Sequence, residues 1–123
     1  MNKHLVFVYG TLRRGGSNHY ILADSDFLGP YITEPRYTMF RLGQFPAVVA
    51  RGDCPITGEL YRVSDEVFDL IDELECYPSV FSRQIIHTPA GDAWMYLYNR
   101  LVGTDHRVRH GDWLKYLAES GGQ

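Results

Sequence analysis

The strongest hydrophobic pattern in the chain is helical and covers residues 64–76. At about 100° per residue, one side of this predicted helix is apolar. That side carries Val67, Phe68, Leu70, Ile71 and Leu74. The opposite side carries the acids Asp65, Glu66, Asp69, Asp72 and Glu73. Ser64 is the predicted N-cap and Pro78 marks the stop.

Glu75 departs from this pattern, because it projects between Phe68 and Ile71 on the side that packs against the rest of the protein. A carboxylate directed at a core is costly to keep charged. Such a group is therefore usually partnered, protonated or functional. The sequence makes Glu75 the leading candidate for a general base.

Short apolar or alternating runs predict the remaining elements. We expect strands over residues 5–9, 27–36, 37–42, 56–63, 81–88 and 93–100, and short helices over 18–23 and 112–117. Gly29, Pro30 and Pro35 make the second strand irregular or an edge strand, and residues 51–53 are expected to turn. Many short strands around one main helix predict a single domain over residues 1–123. Its class is α+β, with a small mixed, strongly curved β-sheet or β-barrel and flanking helices.

Charge and hydropathy narrow the range of partners. The net charge of −3 and pI near 5.9 argue against a general nucleic-acid binder. No apolar run approaches the ~18–20 residues of a membrane span, and the N-terminal apolar run is too short for a signal peptide. We therefore expect a cytoplasmic protein without nucleic-acid or membrane partners. Cys54 and Cys76 supply no disulfide framework.

The first strand ends at Tyr9-Gly10, before Thr11 and Leu12. Backbone N–H groups that point outward at such a strand end can hold an anion. Gly10 either permits a positive φ or allows close approach to the backbone. The loop is neither a P-loop nor a dinucleotide fingerprint, and no G-x-S-x-G nucleophile elbow occurs in the chain.

Two further groups of polar residues leave alternatives open. Glu59 alternates with Thr57 and Tyr61, and is a second buried acid if that face of its strand points inward, or an exposed strand acid otherwise. His106 and His110, with Asp105 and Asp112 nearby, have metal-ligand spacing only if they lie on a helix. Gly103 and Gly111 favour a loop instead, so we predict no metal site.

Several of these motifs occur together in one order. They are Val8-Tyr-Gly-Thr-Leu12, Gly58-Glu-Leu-Tyr61, Leu70-Ile-Asp-Glu-Leu-Glu75, Pro78, Phe81-Ser-Arg83, Ala93-Trp-Met-Tyr96 with Tyr98, and Gly111-Asp-Trp-Leu114. In this arrangement the chain resembles the gamma-glutamylcyclotransferase-like family, most closely its small bacterial YtfP-type members. The resemblance covers nearly the whole chain.

The resemblance implies an enzyme that releases 5-oxoproline and a free amine or amino acid from a small γ-glutamyl compound. It implies that the backbone of Tyr9, Gly10, Thr11 and Leu12 cradles the γ-glutamyl group, and that Glu75 is the catalytic base. Neither a metal nor a cofactor is needed. We expect a monomer or a weak homodimer.

Phe81, Arg83 and Tyr98 complete the candidate substrate-binding set. Phe81 is a departure, because the family's usual residue two positions before the Arg is Tyr, and a phenol that could hydrogen-bond substrate is missing here. The alternative function is therefore a binding module that holds a γ-glutamyl or amino-acid-like ligand without turnover.

Overall fold

The computed structural model describes residues 2–100 and 106–120. Its strands are β1 (His4–Val8), β2 (Asp26–Ile32), β3 (Tyr37–Leu42), β4 (Phe45–Cys54), β5 (Thr57–Val63), β6 (Phe81–Thr88) and β7 (Gly91–Tyr98). Its helices are α1 (Asp65–Leu74), α2 (Trp113–Ser120) and a short 3-10 helix over His19–Leu22. None of the described helices is long and apolar enough to cross a membrane.

Five strands form one curved sheet in the order β2-β5-β1-β7-β6, and β3 pairs with β4 in a separate two-stranded ribbon. The sheet is mixed, because β1 is antiparallel to β5 and parallel to β7. The predicted α+β class with a small mixed, strongly curved sheet is confirmed. The β-barrel alternative is wrong, because the sheet is open between its edge strands β2 and β6.

Strand β2 has features that suit its position at an edge of the sheet. Pro30 has no N–H to donate to a further strand, and the register shifts between Phe27 and Gly29. The sequence prediction of an irregular edge strand is therefore confirmed, although the strand ends at Ile32 rather than at Arg36.

The turn predicted at residues 51–53 is wrong, since β4 continues to Cys54. Residues 51–53 lie in a bulge of β4, because Tyr37 pairs with Cys54 whereas its neighbour Thr38 pairs with Val49. The Thr38 hydroxyl donates a hydrogen bond to the carbonyl of Arg51 at 2.5 Å. A turn-like composition here marks an irregular strand rather than its end.

The five-stranded sheet buries both of its faces, as alternation in β1 shows. Val6 and Val8 join one apolar cluster, together with Phe68 and Ile71 of α1. Phe7 joins the other cluster. This second cluster is covered by the β3–β4 ribbon and α2, through Met39, Val48 and Trp113.

Helix α1 begins as predicted, with the Ser64 hydroxyl accepting a hydrogen bond from the Val67 N–H at 3.2 Å. Its buried face is narrower than the sequence indicates. Phe68 and Ile71 are buried, whereas Leu70 and Leu74 are 48% and 38% exposed. Only this narrow stripe meets the sheet, so the two leucines remain open to solvent.

Candidate active site

A cavity of about 400 Å³ lies where β1 ends. Five short segments of the chain line it, together with one residue of β7. The lining residues are Phe7 to Leu12, Ser17, Asn18, Gln44 to Pro46, Leu74 to Cys76, Val80, Phe81 and Tyr96. Predicted residues Tyr9, Gly10, Thr11, Leu12, Glu75 and Phe81 are among them. The chain thus brings the strand-end loop and the unusual acid of α1 to one cavity.

Glu75 is positioned by the C-terminal cap of α1. It is the C-cap residue, and the following Cys76 has φ of 51°, in the left-handed region. The Cys76 N–H donates to the Glu73 carbonyl at 3.0 Å and the Tyr77 N–H donates to the Asp72 carbonyl at 2.9 Å. This pair of bonds is a Schellman motif, which ends the helix and turns the chain away at a fixed place. The acid therefore stands at a defined helix end and not on a loose loop.

The environment of the Glu75 carboxyl is that of a buried acid, although the residue as a whole is half-buried. Burial raises the pKa of Glu75 from 4.5 to about 7. The negative charge of Glu75 in turn contributes to raising the pKa of Tyr9, after burial of that phenol. Within residues 2–100 and 106–120, no donor forms a hydrogen bond with the Glu75 carboxyl. A buried, unpaired acid with a pKa near neutrality is typical of a functional site.

The loop after β1 is held by bonds that leave its first N–H groups free. The Arg13 N–H donates to the Gly10 carbonyl at 3.1 Å, and the Asn18 N–H donates to the Thr11 carbonyl at 2.9 Å. The Asn18 amide also donates to the Thr11 hydroxyl at 2.9 Å. Among the described residues, nothing accepts a hydrogen bond from the backbone N–H of Thr11 or Leu12. These two donors are available to an anion or a polarised carbonyl oxygen.

Gly10 is needed for close approach and not for a positive φ, since its φ lies outside that region. A β-carbon at Gly10 would stand 2.9 Å from Cγ of Pro46, which also lines the cavity. Pro46 of strand β4 therefore packs directly against the backbone of the loop.

Of the two alternatives left open for Glu59, the buried acid is correct, because the residue is only 7% exposed. It accepts hydrogen bonds from the Arg14 backbone N–H at 2.9 Å and the Tyr61 hydroxyl at 2.9 Å. Arg13 lies 3.3 Å from Glu59 through Nε and 2.8 Å from Asp112 through Nη1. Glu59 is not part of the cavity wall; it anchors the far side of the strand-end loop.

Asp72 and Tyr96 form a polar group that the sequence interpretation did not select. The sequence pattern predicts Asp72 on the solvent side of α1, and this prediction is wrong. Its carboxylate accepts two hydrogen bonds from Arg83, at 3.0 and 3.1 Å, and a short one from the Tyr96 phenol. Tyr96 lines the cavity, and its backbone carbonyl accepts a hydrogen bond from the Tyr9 phenol at 2.7 Å. The available signal was the spacing: Asp72 precedes Glu75 by three residues, so the two share one helix face.

Arg83 and Tyr98 are not brought to the cavity wall. The Arg83 guanidinium is held by Asp72 and packs over the rings of Tyr77 and Trp94, at 4.1 and 4.6 Å. Tyr98 lies behind Phe81, with ring centroids 5.4 Å apart. Phe81 itself is buried and lines the cavity.

The structure describes three of the residues considered for a metal site, His106, His110 and Asp112. In the described part of the chain, no group of three or more His, Cys, Asp or Glu could hold a metal ion. His110 pairs with Glu119 at 2.9 Å. Gly103 and Asp105 lie outside the described residues.

Comparison with known families decides where this chain belongs. The sequence model described as "Gamma-glutamyl cyclotransferase, AIG2-like" matches residues 6–115. The chain belongs to this family. The family is one of enzymes, and the resemblance inferred from the sequence motifs is confirmed.

Individual relatives agree with this assignment. A Vibrio cholerae protein that is provisionally named a gamma-glutamylcyclotransferase is 41% identical over 111 residues, covering 90% of this chain and 96% of its own. The gamma-glutamylcyclotransferase family protein YtfP of Escherichia coli K12 is 35% identical over 109 residues, covering 89% and 95%. A mouse protein named gamma-glutamylaminecyclotransferase is 32% identical over 88 residues, covering 63% and 58%.

Solved structures show the same fold. An uncharacterized protein of Pyrococcus horikoshii superposes with a TM-score of 0.82 at 27% identity, over 98% of both chains. The solution structure of E. coli YtfP superposes with a TM-score of 0.72 at 33% identity, over 91% of this chain and 97% of its own.

Proposed function

We propose that this protein is a γ-glutamylcyclotransferase that converts a γ-glutamyl compound into 5-oxoproline and a free amine or amino acid. One observation carries the proposal. Among the described residues, no donor bonds to the carboxyl of Glu75, whose pKa is raised to about 7, and it shares a cavity with a loop in which the N–H groups of Thr11 and Leu12 have no acceptor. A base and an oxyanion site are the two groups that intramolecular aminolysis requires.

In the proposed reaction the glutamyl end binds against the strand-end loop, with its α-ammonium directed at Glu75. Glu75 accepts a proton from this ammonium, which becomes a nucleophilic amine. The amine nitrogen attacks the γ-carbonyl carbon of the same residue, forming the new C–N bond of a five-membered ring. The carbonyl oxygen becomes an oxyanion, which the N–H groups of Thr11 and Leu12 stabilise.

Collapse of this intermediate breaks the bond to the departing nitrogen, and Glu75 donates its proton to that nitrogen. The ring nitrogen loses its second proton by the same route, so both protons end on the amine, which departs as an ammonium. A base with a pKa near 7 suits this exchange, because it must both accept and return protons at neutral pH. Ring closure within one bound molecule supplies a large part of the rate, since the reacting atoms are already close.

The two phenols in the cavity are poor candidates for the base. Burial first, and then the charge of Glu75, raise the pKa of Tyr9 well above its ordinary value. Burial and the bond to Asp72 raise the pKa of Tyr96. Both phenols therefore stay protonated at neutral pH, and both already donate to protein oxygens. Among the described residues that line the cavity, Glu75 is the remaining carboxylic acid, and its pKa lets it accept a proton in this pH range.

The test is release of 5-oxoproline from a panel of γ-glutamyl dipeptides and γ-glutamyl amides by the wild type and two variants. Glu75→Gln keeps the shape of the side chain but removes its basicity, and turnover should fall at least ~10²-fold. Glu73→Gln is the matched control, because Glu73 is exposed on the same helix turn and should leave turnover unchanged. Ligand binding by the wild type without 5-oxoproline would establish the binding module instead.

Three further expectations accompany this proposal. The chain acts as a single domain, works in the cytoplasm, and is a monomer or a weak homodimer. Light scattering across a range of protein concentrations tests the last of these directly, since a weak dimer dissociates on dilution.

A further inference from the structure

Two phenols share the cavity with the Glu75 carboxyl, and neither of them donates a hydrogen bond to it. Burial is the first cause of the raised pKa of Tyr9 and of Tyr96, and the negative charge of Glu75 contributes to both, which indicates that both phenols lie near it. The Tyr9 phenol donates instead to the Tyr96 backbone carbonyl at 2.7 Å, and the Tyr96 phenol donates to the Asp72 carboxylate. Both protons are therefore directed away from Glu75.

Asp72 is the side-chain acceptor in this arrangement. We infer that Asp72 is a positioning residue for the base, because it holds the Tyr96 phenol and thereby keeps a hydrogen-bond donor off the Glu75 carboxyl. The inference rests on the proposed role of Glu75 as the base. Asp72 is not part of the described cavity lining, so it acts through Tyr96, which is.

The Asp72 carboxylate is itself fixed in one orientation. Arg83 donates through Nε to Oδ1 at 3.0 Å and through Nη2 to Oδ2 at 3.1 Å, and Oδ1 also accepts the bond from Tyr96. The Arg83 guanidinium is in turn enclosed by the rings of Tyr77 and Trp94, at 4.1 and 4.6 Å. The Asp72 and Arg83 side chains are only 19% and 17% exposed, so water competes weakly for these bonds. A two-pronged pair of this kind keeps the acceptor at the phenol.

Glu75 is the alternative acceptor for the Tyr96 phenol. Asp72 and Glu75 are three residues apart on one face of α1, where β-carbons are about 5–6 Å apart. A phenol released by Asp72 can turn its O–H toward this neighbouring carboxyl. A hydrogen bond donated to the ionised carboxylate favours the charged form and lowers its pKa. Glu75 would then be a weaker base for the α-ammonium of the substrate.

The other titratable groups around Glu75 have different partners or carry no charge. Besides the two phenols from β1 and β7, the described lining contains one such group, the Cys76 thiol, and the lining residues of β4 are uncharged. Strand β6 carries Arg83, which is held by Asp72. The 3-10 helix packs against α1 and carries His19, with Nδ1 2.9 Å from a backbone carbonyl of the strand-end loop. The test must therefore separate the effect of the phenol from that of a released Arg83.

The test is an NMR titration of the Glu75 carboxyl carbon in protein made with isotope-labelled glutamate, with Glu75→Gln identifying the signal. The wild-type pKa should be about 7. In Asp72→Ala the released phenol should lower it to about 6 or below. Adding Tyr96→Phe to Asp72→Ala removes the donor, and the pKa should return to the wild-type value. Asp69→Ala is the matched control, because it removes an exposed acid from the same helix and should change nothing.

A second variant covers the unpaired cation that Asp72→Ala leaves behind. Asp72→Ala/Arg83→Met removes this cation and keeps a long side chain over the rings of Tyr77 and Trp94. It should fold even where Asp72→Ala does not, and it should show the same lowered pKa of Glu75. A fall that occurs in Asp72→Ala but not in this variant would assign the effect to Arg83 and overturn the inference.

The pH dependence of kcat/KM for 5-oxoproline release supplies the readout of function. Its midpoint should move down with the pKa of Glu75 in Asp72→Ala and should move back when Tyr96→Phe is added. Structural damage does not predict this return, since the double variant carries one more substitution.

The outcomes separate this inference from the proposed function. If 5-oxoproline is released but Asp72→Ala keeps the wild-type pKa of Glu75, or if the double variant with Tyr96→Phe stays low, the inference is overturned and the activity stands. If the titrations follow the expected order but no γ-glutamyl compound yields 5-oxoproline, the proposed function is overturned, while the hold of Asp72 on the phenol is established.

Discussion

Replacing Glu75 by Gln should change how the stability of the protein depends on pH. The folded state holds the carboxyl with a pKa of about 7, whereas the ordinary value is 4.5. Between these two values the folded state binds a proton that the unfolded state has released. The free energy of unfolding therefore falls as pH rises through this window and levels off above about pH 7.

The magnitude follows from the shift. A difference of about 2.5 pKa units is worth about 3 kcal/mol at 1.36 kcal/mol per unit, and partial exposure of the residue reduces this to about 2–3 kcal/mol. Glutamine cannot ionise, so Glu75→Gln should escape this loss. Relative to the wild type, the variant should gain about 2–3 kcal/mol between about pH 4 and about pH 8.

Urea denaturation at both pH values measures this relative gain. The contributions of the other titrating groups are the same in the variant and the wild type, so they cancel in the difference. Glu73→Gln is again the control, and its difference from the wild type should change by less than about 0.5 kcal/mol over the same range. The reasoning is refuted if the difference for Glu75→Gln is as flat as that of the control, because the carboxyl would then titrate as an exposed acid.

Three other substitutions test the rest of the site. Gly10→Val places side-chain atoms against Pro46, where a β-carbon would already stand at 2.9 Å, so it should abolish binding of a γ-glutamyl ligand and lower the free energy of unfolding by about 1–3 kcal/mol. Normal ligand binding by this variant would show that the binding site lies elsewhere. Phe81→Tyr restores a phenol to the cavity and should raise kcat/KM on γ-glutamyl dipeptides by about 3- to 100-fold; unchanged activity with a lower melting temperature would assign Phe81 to the core alone. Glu59→Ala removes a carboxylate that Arg13 pairs with, so it should lower the free energy of unfolding, measured by urea denaturation, by about 3 kcal/mol and weaken ligand binding. An unchanged Kd would show that Glu59 does not help to position the loop for the ligand.

Local pattern was sufficient for much of the fold. Strands β3 and β6 have the predicted bounds, and α1 begins at the predicted cap, because alternation, helical periodicity and capping depend on neighbouring residues. The open sheet could not be predicted in the same way. Whether a curved sheet closes depends on which strands become its edges, and β2 and β6 are separated by 48 residues between Ile32 and Phe81.

The site shows the same division. Glu75 was visible from the sequence because its position contradicts the apolar face of its own helix. Asp72 gave only the weaker signal of its three-residue spacing from Glu75, because its partners Arg83 and Tyr96 lie on strands β6 and β7 and only the folded chain brings them to the helix. The same holds for Phe45 and Pro46, which enter the cavity from the separate ribbon.

The central claim is that Glu75 acts as a base whose pKa is near 7. The most direct measurement is the pH dependence of 5-oxoproline release from a γ-glutamyl amide, with kcat/KM determined from about pH 5 to about pH 8. We expect the wild-type rate to rise with pH as Glu75 ionises, with a midpoint of about 7, and Glu75→Gln to lose this rise together with at least ~10²-fold in rate. A wild-type profile that is already flat above about pH 5, or a Glu75→Gln variant that keeps the wild-type profile, would contradict the account.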